Sequence, residues 1–210
     1  ARLLELLEVE LGRGLRARLQ EVWRDRQFGA WYERPLLLAN ALRHDALREG
    51  TSHPLWRAIA DPEPDVSALT ERAVANAVAP ERVYFWRTLA ERHLQTNEPT
   101  RAVAWLWPAR IAGEVKPARP LELFDIGSSA GLNLIGDQLP PMWEREDGEQ
   151  LDVELVAPIV RRLGFDLRPL DVLDEEDARW LKACVWPGER EREARLAQAI
   201  RAFRKLQSAP

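Results

Sequence analysis

The chain has 210 residues, of which 46% are hydrophobic and 30% charged, and this composition excludes a wholly disordered protein. Its 30 basic and 34 acidic residues give a net charge of −4, which argues against a dedicated duplex-DNA binder and leaves no strong nucleic-acid signal. The single cysteine, Cys184, excludes an intramolecular disulfide and any multi-cysteine metal site, and we expect a cytoplasmic location.

Residues 1–115 are predicted to form an all-helical region. Apolar residues recur every three or four positions from Leu3 to Trp23, which is typical of one buried helical face. A loop is predicted at 61–64, and further helices are predicted to begin near Ser67 and Val83. The nine tryptophans are expected to pack mainly in the core, because each indole buries a large area.

The character of the chain changes in the second predicted region, 116–210, which begins with a proline-punctuated connector at 116–120. Residues 121–126 predict a strand that leads through a glycine-bounded turn into a helix. Residues 151–156 predict a second strand and 158–163 a short helix. Two amphipathic helices are predicted from there to the end, at 174–185 and 189–206. The fold class is therefore α/β, with a helical first part.

The most informative segment is 123–134, with the sequence LFDIGSSAGLNL. Gly127 lets the backbone turn sharply and approach a ligand, and Gly131 lets the helix pack closely on the strand. Free N–H groups of the turn are expected to face the crevice at the strand end, where Asp125 can accept a hydrogen bond.

This pattern resembles the first motif of S-adenosylmethionine-dependent methyltransferases, with Ser129 in place of the middle glycine. The resemblance implies a Rossmann-like sheet that binds S-adenosylmethionine through the turn and its flanks, at Asp125, Gly127, Ser128, Ser129, Gly131 and Asn133. In that fold the next strand ends in an acid that holds the ribose hydroxyls, and Asp152 and Glu154 are the candidates. We favour Glu154; the alternative is that both carboxylates face solvent on an edge strand.

The same turn also matches the Gly-x-Ser-x-Gly nucleophile elbow of α/β-hydrolases, with Ser129 as the nucleophile. That chemistry requires an acid and then a histidine after the serine. All three histidines, His44, His53 and His93, precede Ser129, so the hydrolase hypothesis is unfavourable.

Four strings together resemble a bacterial family known as domain of unknown function 2332. They are QTNEPTR at 95–101, the GSSAGLNL turn, RLGFDLRPLD at 162–171, and DARWL at 177–181 leading to VWP at 185–187. The resemblance implies a helical part followed by a methyltransferase-like α/β part. It also implies further strands beyond the last helix, and the chain begins with Ala, so we expect a truncated or gapped record of a longer protein.

The leading hypothesis is a methyltransferase that uses S-adenosylmethionine and an unidentified methyl acceptor, with no metal, no membrane partner and no assignable general base. The alternative is a non-catalytic interaction protein on a degenerate site. A polar cluster before the connector has two possible roles. It would close over the cofactor pocket or recognise the methyl acceptor, or it would simply form a capped helix start, with Thr96 or Asn97 as the cap. It comprises Gln95, Asn97, Glu98 and Arg101.

Overall fold

The computed structural model describes residues 2–117, 119–144 and 146–207. Ala118 of the predicted connector, Arg145 of the loop before the second predicted strand, and both chain ends lie outside the described residues. Contacts divide the chain into two compact units. The first contains the residues up to Gln95 together with Arg179–Arg190, and the second contains Thr96–Ala178 and the residues from Glu191 onward.

The first unit is helical, as the apolar periodicity predicts. Its elements are α1 (Arg2–Glu10), a π-helix (Leu11–Leu15), α2 (Arg16–Val22), α3 (Glu33–Glu49), α4 (Trp56–Ile59), α5 (Glu71–Ala77) and α6 (Val83–Glu91). The core of this unit is formed by α3 and α6, whose Leu37, Leu42, Phe85 and Leu89 are almost completely buried. Burial of such side chains contributes about 1.5–3 kcal/mol each, which explains why the helices hold together.

The second unit mixes helices and short strands. It contains α7 (Val103–Val115), β1 (Leu121–Ile126), a 3₁₀-helix (Leu132–Gln138), β2 (Trp143–Glu144), β3 (Gln150–Leu151) and β4 (Ile159–Phe165). Helix α8 (Glu175–Ala183) begins in the second unit and ends in the first, and α9 (Arg190–Gln207) lies almost wholly in the second.

The predicted strand at 121–126 is confirmed as β1, whereas two neighbouring predictions are wrong. Residues 152–156 form no strand, and only Gln150 and Leu151 pair, in an antiparallel hairpin with β2. The predicted short helix at 158–163 is the strand β4. The two adjacent arginines, Arg161 and Arg162, conceal the strand alternation, because Arg161 is exposed while Arg162 forms an ion pair with Asp137 at 2.6 Å.

Strands β1 and β4 form a two-stranded parallel sheet, so the architecture is mixed α/β. Register pairs Glu122 with Arg161, Phe124 with Leu163 and Ile126 with Phe165. Paired residues of parallel strands share a face. The face that carries Phe124, Ile126 and Phe165 is exposed, whereas Leu123 and Asp125 on the other face are half-buried.

The predicted regions 1–115 and 116–210 follow element type, while the two units follow packing. Helix α7 falls within the predicted helical region 1–115 but belongs to the second unit, where it packs against the 3₁₀-helices that begin at Pro99 and Leu132. A small apolar cluster of Ala102, Leu106 and Val153 fills the space beside α7. None of the described helices combines the length and the apolar character needed to cross a membrane.

Gly136 is the tightest contact of this packing. A Cβ atom added there would lie 2.3 Å from the Cβ of Ala102, which is far inside van der Waals contact. We expect Gly136→Ala to lower the free energy of unfolding by roughly 1–3 kcal/mol, the usual cost of overpacking a filled core. Urea denaturation followed by circular dichroism measures this change.

The matched control for Gly136→Ala is Gly12→Ala, because a Cβ at Gly12 meets nothing within 4 Å and its φ is not in the left-handed region. The control is expected to leave the free energy of unfolding unchanged or to raise it, by up to about 1 kcal/mol from helix propensity. Equal effects of the two substitutions would contradict the packing described for Gly136.

Candidate functional site

The candidate site lies where β1 and β4 end, at the turn from Gly127 to Gly131. The carbonyl oxygen of Phe165 accepts hydrogen bonds from the N–H groups of Gly127 (2.7 Å) and Ser128 (3.1 Å). Both glycines have left-handed φ angles, +82° and +71°. The glycines of the motif are therefore required by the backbone conformation of the turn itself.

Ser129 is held in this turn by hydrogen bonds with Asn97, Asp166 and Leu170. Its Oγ accepts from Nδ2 of Asn97 at 2.6 Å, its N–H donates to Oδ2 of Asp166 at 2.8 Å, and its carbonyl accepts from the N–H of Leu170 at 3.2 Å. Among the described residues, Ser129 is the one non-glycine with a positive φ, +54°. Such a conformation persists because the surrounding bonds determine it.

Asp166 contacts this turn from the end of β4, and its role was not predicted from the sequence. It follows β4 directly, and its two carboxylate oxygens accept from the N–H groups of Ser129 and Arg168, each at 2.8 Å. The signal was an acid at the end of a strand, but it was hidden because 158–163 was interpreted as a helix. Asp166, and not Glu154, therefore stands at the carboxyl end of the strand next to β1.

Most N–H groups of the turn are already occupied. Those of Gly127, Ser128 and Ser129 bond as described above, and the N–H of Gly131 donates to the carbonyl of Ser128 at 2.8 Å. The expectation that these groups face a ligand is wrong, because the turn uses them to maintain its own conformation. The helix that follows is also a 3₁₀-helix and not the predicted α-helix.

Asp125 and Gly127 remain available to a ligand at the turn, and one unsatisfied buried acceptor lies just after it. The carboxylate of Asp125 is half-buried and has no hydrogen-bond or ionic partner among the described residues. Nothing lies within 4 Å of the position that a Cβ of Gly127 would take. The side-chain Oδ1 of Asn133 is buried without a hydrogen-bond partner in the described part of the chain. Burying an acceptor without a partner costs about 1–3 kcal/mol of stability.

The remaining predicted site residues are placed differently. Glu154 is exposed in the segment between β3 and β4, outside any strand. The side chain of Ser128 is buried, and its Oγ lies 2.6 Å from where a Cβ of Gly164 would be, so it packs against the backbone of β4. Asp125 at the end of β1 and Gly127 thus lie at the turn, Asn133 follows it in the 3₁₀-helix, and Glu154 lies on a separate loop.

The polar cluster from Gln95 to Arg101 does not act as one group. Gln95 belongs to the first unit and the other three to the second. Asn97 is buried against Ser129, whereas Glu98 forms ion pairs with Arg192 (3.1 Å) and Arg195 (3.3 Å). The side chain of Arg101 is exposed.

The alternative of a capped helix start is also wrong in its detail. The 3₁₀-helix begins at Pro99 with Glu98 as its N-cap residue and without a side-chain cap bond. Thr96 and Asn97 therefore lie before the cap position, and the side-chain amide of Asn97 donates a hydrogen bond to the Ser129 hydroxyl instead.

The second unit contains no histidine that could act as the general base of a hydrolase with Ser129 as nucleophile. Ser129 is buried, and its hydroxyl oxygen receives the Asn97 amide proton. No histidine occurs in the second unit, because His44, His53 and His93 all belong to the first. The geometry of the turn is thus explained by its conformation and needs no nucleophilic role for Ser129.

A partly buried ionic cluster in the first unit, in which Asp45 and His53 are buried and Glu49 is exposed, is a second place where chemistry could occur. It consists of Asp45, Glu49, His53 and Arg82, and the first three have ligand atoms within 4.8 Å of one another. The guanidinium Nη2 of Arg82 lies 2.7 Å from a carboxylate oxygen of Asp45 and 2.7 Å from one of Glu49. The guanidinium is therefore already the cation of this cluster.

His53 is oriented by the backbone in a way that does not suit a metal ligand. Its Nδ1 accepts from the N–H of Leu55 at 3.1 Å, which places the proton on Nε2, 3.3 Å from the carboxylate of Asp45. Burial opposes ionisation of Asp45, but the nearby imidazole of His53 and the hydrogen-bonded guanidinium of Arg82 outweigh it and hold the pKa of that carboxyl below its ordinary value. We interpret the cluster as a structural ion-pair network.

The lone cysteine does not provide a nucleophile either. Burial raises the pKa of Cys184 to about 12, more than nearby hydrogen bonds from Gln95 and Asn40 lower it. Because the thiolate is the reactive form, a thiol with this pKa is inert near neutral pH.

Comparison with known proteins identifies a family and nothing closer. The family described as "Uncharacterized protein conserved in bacteria (DUF2332)" matches residues 2–209. No curated protein and no solved structure matches the chain.

The Asp45 network predicts a pH-dependent contribution to stability. We expect Asp45→Asn to lower the free energy of unfolding by roughly 3 kcal/mol at neutral pH, because Arg82 loses its buried partner. The lowered pKa means that this contribution is present above about pH 4, where the unfolded carboxyl ionises, and is lost as the pH falls through the native pKa. Urea denaturation of both proteins across this range measures the difference.

The control for Asp45→Asn is Glu63→Gln, which removes an exposed ion pair with Arg190 at 3.4 Å. Such a pair contributes about 0–1 kcal/mol, so the control is expected to change little at any pH. A difference between wild type and Asp45→Asn that stays constant from neutral to acid pH would refute the network.

Cys184 is predicted to react slowly in the native protein. We expect its reaction with an aromatic disulfide reagent at about pH 8 to be at least ~100-fold slower than in concentrated guanidinium chloride, because the thiol of this half-buried residue stays protonated in the native protein. Absorbance of the released thiolate measures both rates, and equal rates would contradict the burial of this side chain.

Proposed function

The chain belongs to the bacterial family DUF2332, and we propose that it binds S-adenosylmethionine at the carboxyl end of β1 and transfers the methyl group to an acceptor molecule. The observation that carries the proposal is the pairing of a carboxylate without a protein partner, Asp125, with an open glycine, Gly127. In parallel α/β sheets, ligands bind at this end of the strands.

The residues of the turn fit part of this cofactor. The Asp125 carboxylate accepts hydrogen bonds, so it suits the ammonium or the hydroxyl groups of the cofactor. The space in front of Gly127 permits close approach, since its φ of +82° and the open Cβ position leave the backbone accessible. The orphaned Oδ1 of Asn133 gives a further acceptor. In contrast, the bonded N–H groups of the turn are not available to the cofactor carboxylate.

The bound cofactor would supply an electrophilic methyl group on sulfur, and the protein's contribution would be alignment. In-line displacement depends on positioning the acceptor against the methyl carbon and on excluding water. Asp166 and Asn97 act here as positioning residues, because their bonds to Ser129 hold the turn in one conformation. The proposal includes two further predictions. Glu154 would bind the ribose of the cofactor, and the two-stranded sheet would be part of a Rossmann-like methyltransferase fold.

A second function is favoured by a different observation. The exposed sheet face with Phe124, Ile126 and Phe165, together with the internally bonded turn, suits a non-catalytic protein that binds partners through its surface. Parallel sheets are normally covered on both faces, so this apolar face is unusual. The two functions differ in whether the cofactor binds.

Isothermal titration calorimetry with S-adenosylmethionine and S-adenosylhomocysteine tests the proposal. We expect saturable binding at one site, and Asp125→Asn is expected to weaken it by at least tenfold, since a hydrogen bond to a charged group contributes about 1.5–3 kcal/mol. Asn133→Ala is expected to weaken binding by a smaller factor.

The matched control is Glu122→Gln, which lies on the same strand but on the exposed face, 3.6 Å from Arg161. This substitution should leave the affinity unchanged. Absent or millimolar binding to the wild-type protein would favour the interaction protein, and an affinity that Asp125→Asn does not alter would remove the turn from the site.

A further inference from the structure

The first unit contains a cavity of about 410 Å³ that none of the roles above uses. Its volume lies in the range of small-molecule sites. Its wall is formed by the start of the Leu11–Leu15 segment, by α2 and the turn after it, and by the first turn of α3; the lining residues are Leu11, Arg16, Leu19, Gln20, Trp23, Arg24 and Arg34.

The lining carries an unusual concentration of positive charge. Residues 11–35 contain six arginines and only three acidic residues, whereas the whole chain has a net charge of −4. Arg16, Arg24 and Arg34 are exposed, and none of them has a carboxylate partner among the described residues. Their guanidinium groups are therefore available to an anion from outside the unit.

Several other arginines of the same unit are paired with carboxylates. Arg13 forms ion pairs with Glu10 and Glu71, Arg57 with Asp65, and Arg82 with Asp45 and Glu49. The absence of carboxylates around the cavity is thus a local property and does not reflect a shortage of acids in the unit.

The rest of the cavity wall is apolar and aromatic. Leu19 is buried, and Trp23 is half-buried with its indole fixed by a hydrogen bond from Nε1 to the carbonyl of Leu89 at 3.1 Å. The ring of Phe28 contacts Trp23 edge-on at 5.3 Å and lies 5.0 Å from the guanidinium carbon of Arg34. These contacts hold an aromatic wall beside the positive charges before any ligand binds.

The backbone beside the cavity is irregular. Between the regular helices α1 and α2 the chain kinks in the Leu11–Leu15 segment, where Gly14 has a non-helical φ of +115°. This irregularity places Leu11 and Arg16 on the same cavity wall.

We propose that this cavity binds a small organic phosphate whose body is an aromatic ring, as in a nucleotide. Three unpaired guanidinium groups exceed what a single carboxylate would neutralise, and their planar donors suit the several oxygens of a phosphate group. Trp23 and the leucines provide a surface on which a ring can pack, and base stacking on aromatic side chains contributes about 1–3 kcal/mol.

The phosphate could belong to a free nucleotide or to the headgroup of a lipid, and the test separates the two. Calorimetry uses adenosine 5′-diphosphate, adenosine and inorganic pyrophosphate as probes, and sedimentation uses phosphatidylglycerol vesicles. We expect saturable binding of the diphosphate at one site, at least tenfold tighter than binding of adenosine or of pyrophosphate, and no sedimentation with vesicles.

The variant that tests the cavity is the triple substitution Arg16→Gln, Arg24→Gln and Arg34→Gln. All three side chains are exposed, so the fold is expected to survive, which circular dichroism checks. The variant is expected to weaken diphosphate binding by at least tenfold. The matched control replaces three other exposed arginines of the same unit, Arg48, Arg57 and Arg87, by Gln and should bind as the wild type does.

Several results would overturn the proposal. They are absence of saturable diphosphate binding, equal loss in the triple variant and its control, or binding to vesicles without binding to the nucleotide. Single Arg24→Gln provides the same comparison if the triple variant does not fold. Asp125→Asn should leave diphosphate binding unchanged, so this site and the proposed cofactor site can fail independently.

Discussion

The parallel pairing of β1 with β4 is the interaction on which the second unit depends. It places the carbonyl of Phe165 where it accepts two N–H groups of the following turn, and it brings Asp166 to the N–H of Ser129. The positive φ angles of Gly127 and Ser129 are stable only because these bonds determine them. Without this pairing, Asp125 would be an ordinary acid on an isolated strand, since two strands alone form a marginal sheet.

Buried polar groups are paired with one another in the first unit at two places. Arg82 neutralises Asp45 and Glu49, and the buried Arg43 donates to the carbonyls of Ile59, Lys182 and Val185. These ion pairs and hydrogen bonds serve structure, although Nε2 of His53 beside Asp45 makes no hydrogen bond of good geometry. Around the β1 turn, by contrast, Asp125 and the Oδ1 of Asn133 stay without partners in the described residues. Unsatisfied groups of this kind are what a ligand can exploit.

Local patterns were predictable from sequence, and long-range ones were not. Strand β1 and its glycine turn follow from a short, mostly apolar run and two glycines. Strand β4 was missed because Arg161 and Arg162 interrupt its alternation, and with it the role of Asp166 was missed. The bond between Asn97 and Ser129 joins positions 32 residues apart, and the pair of Asp45 with Arg82 spans 37. No local spacing specifies such contacts, because they depend on how whole elements pack.

The central claim is that the turn after β1 receives the adenosine-bearing cofactor next to Asp125. A crystal structure of the protein grown with S-adenosylhomocysteine tests this most directly. The account predicts electron density for the ligand against the backbone of Gly127, with a polar group of the ligand within hydrogen-bond distance of the Asp125 carboxylate. Density for the ligand elsewhere on the protein, or an empty turn at a saturating ligand concentration, would contradict it.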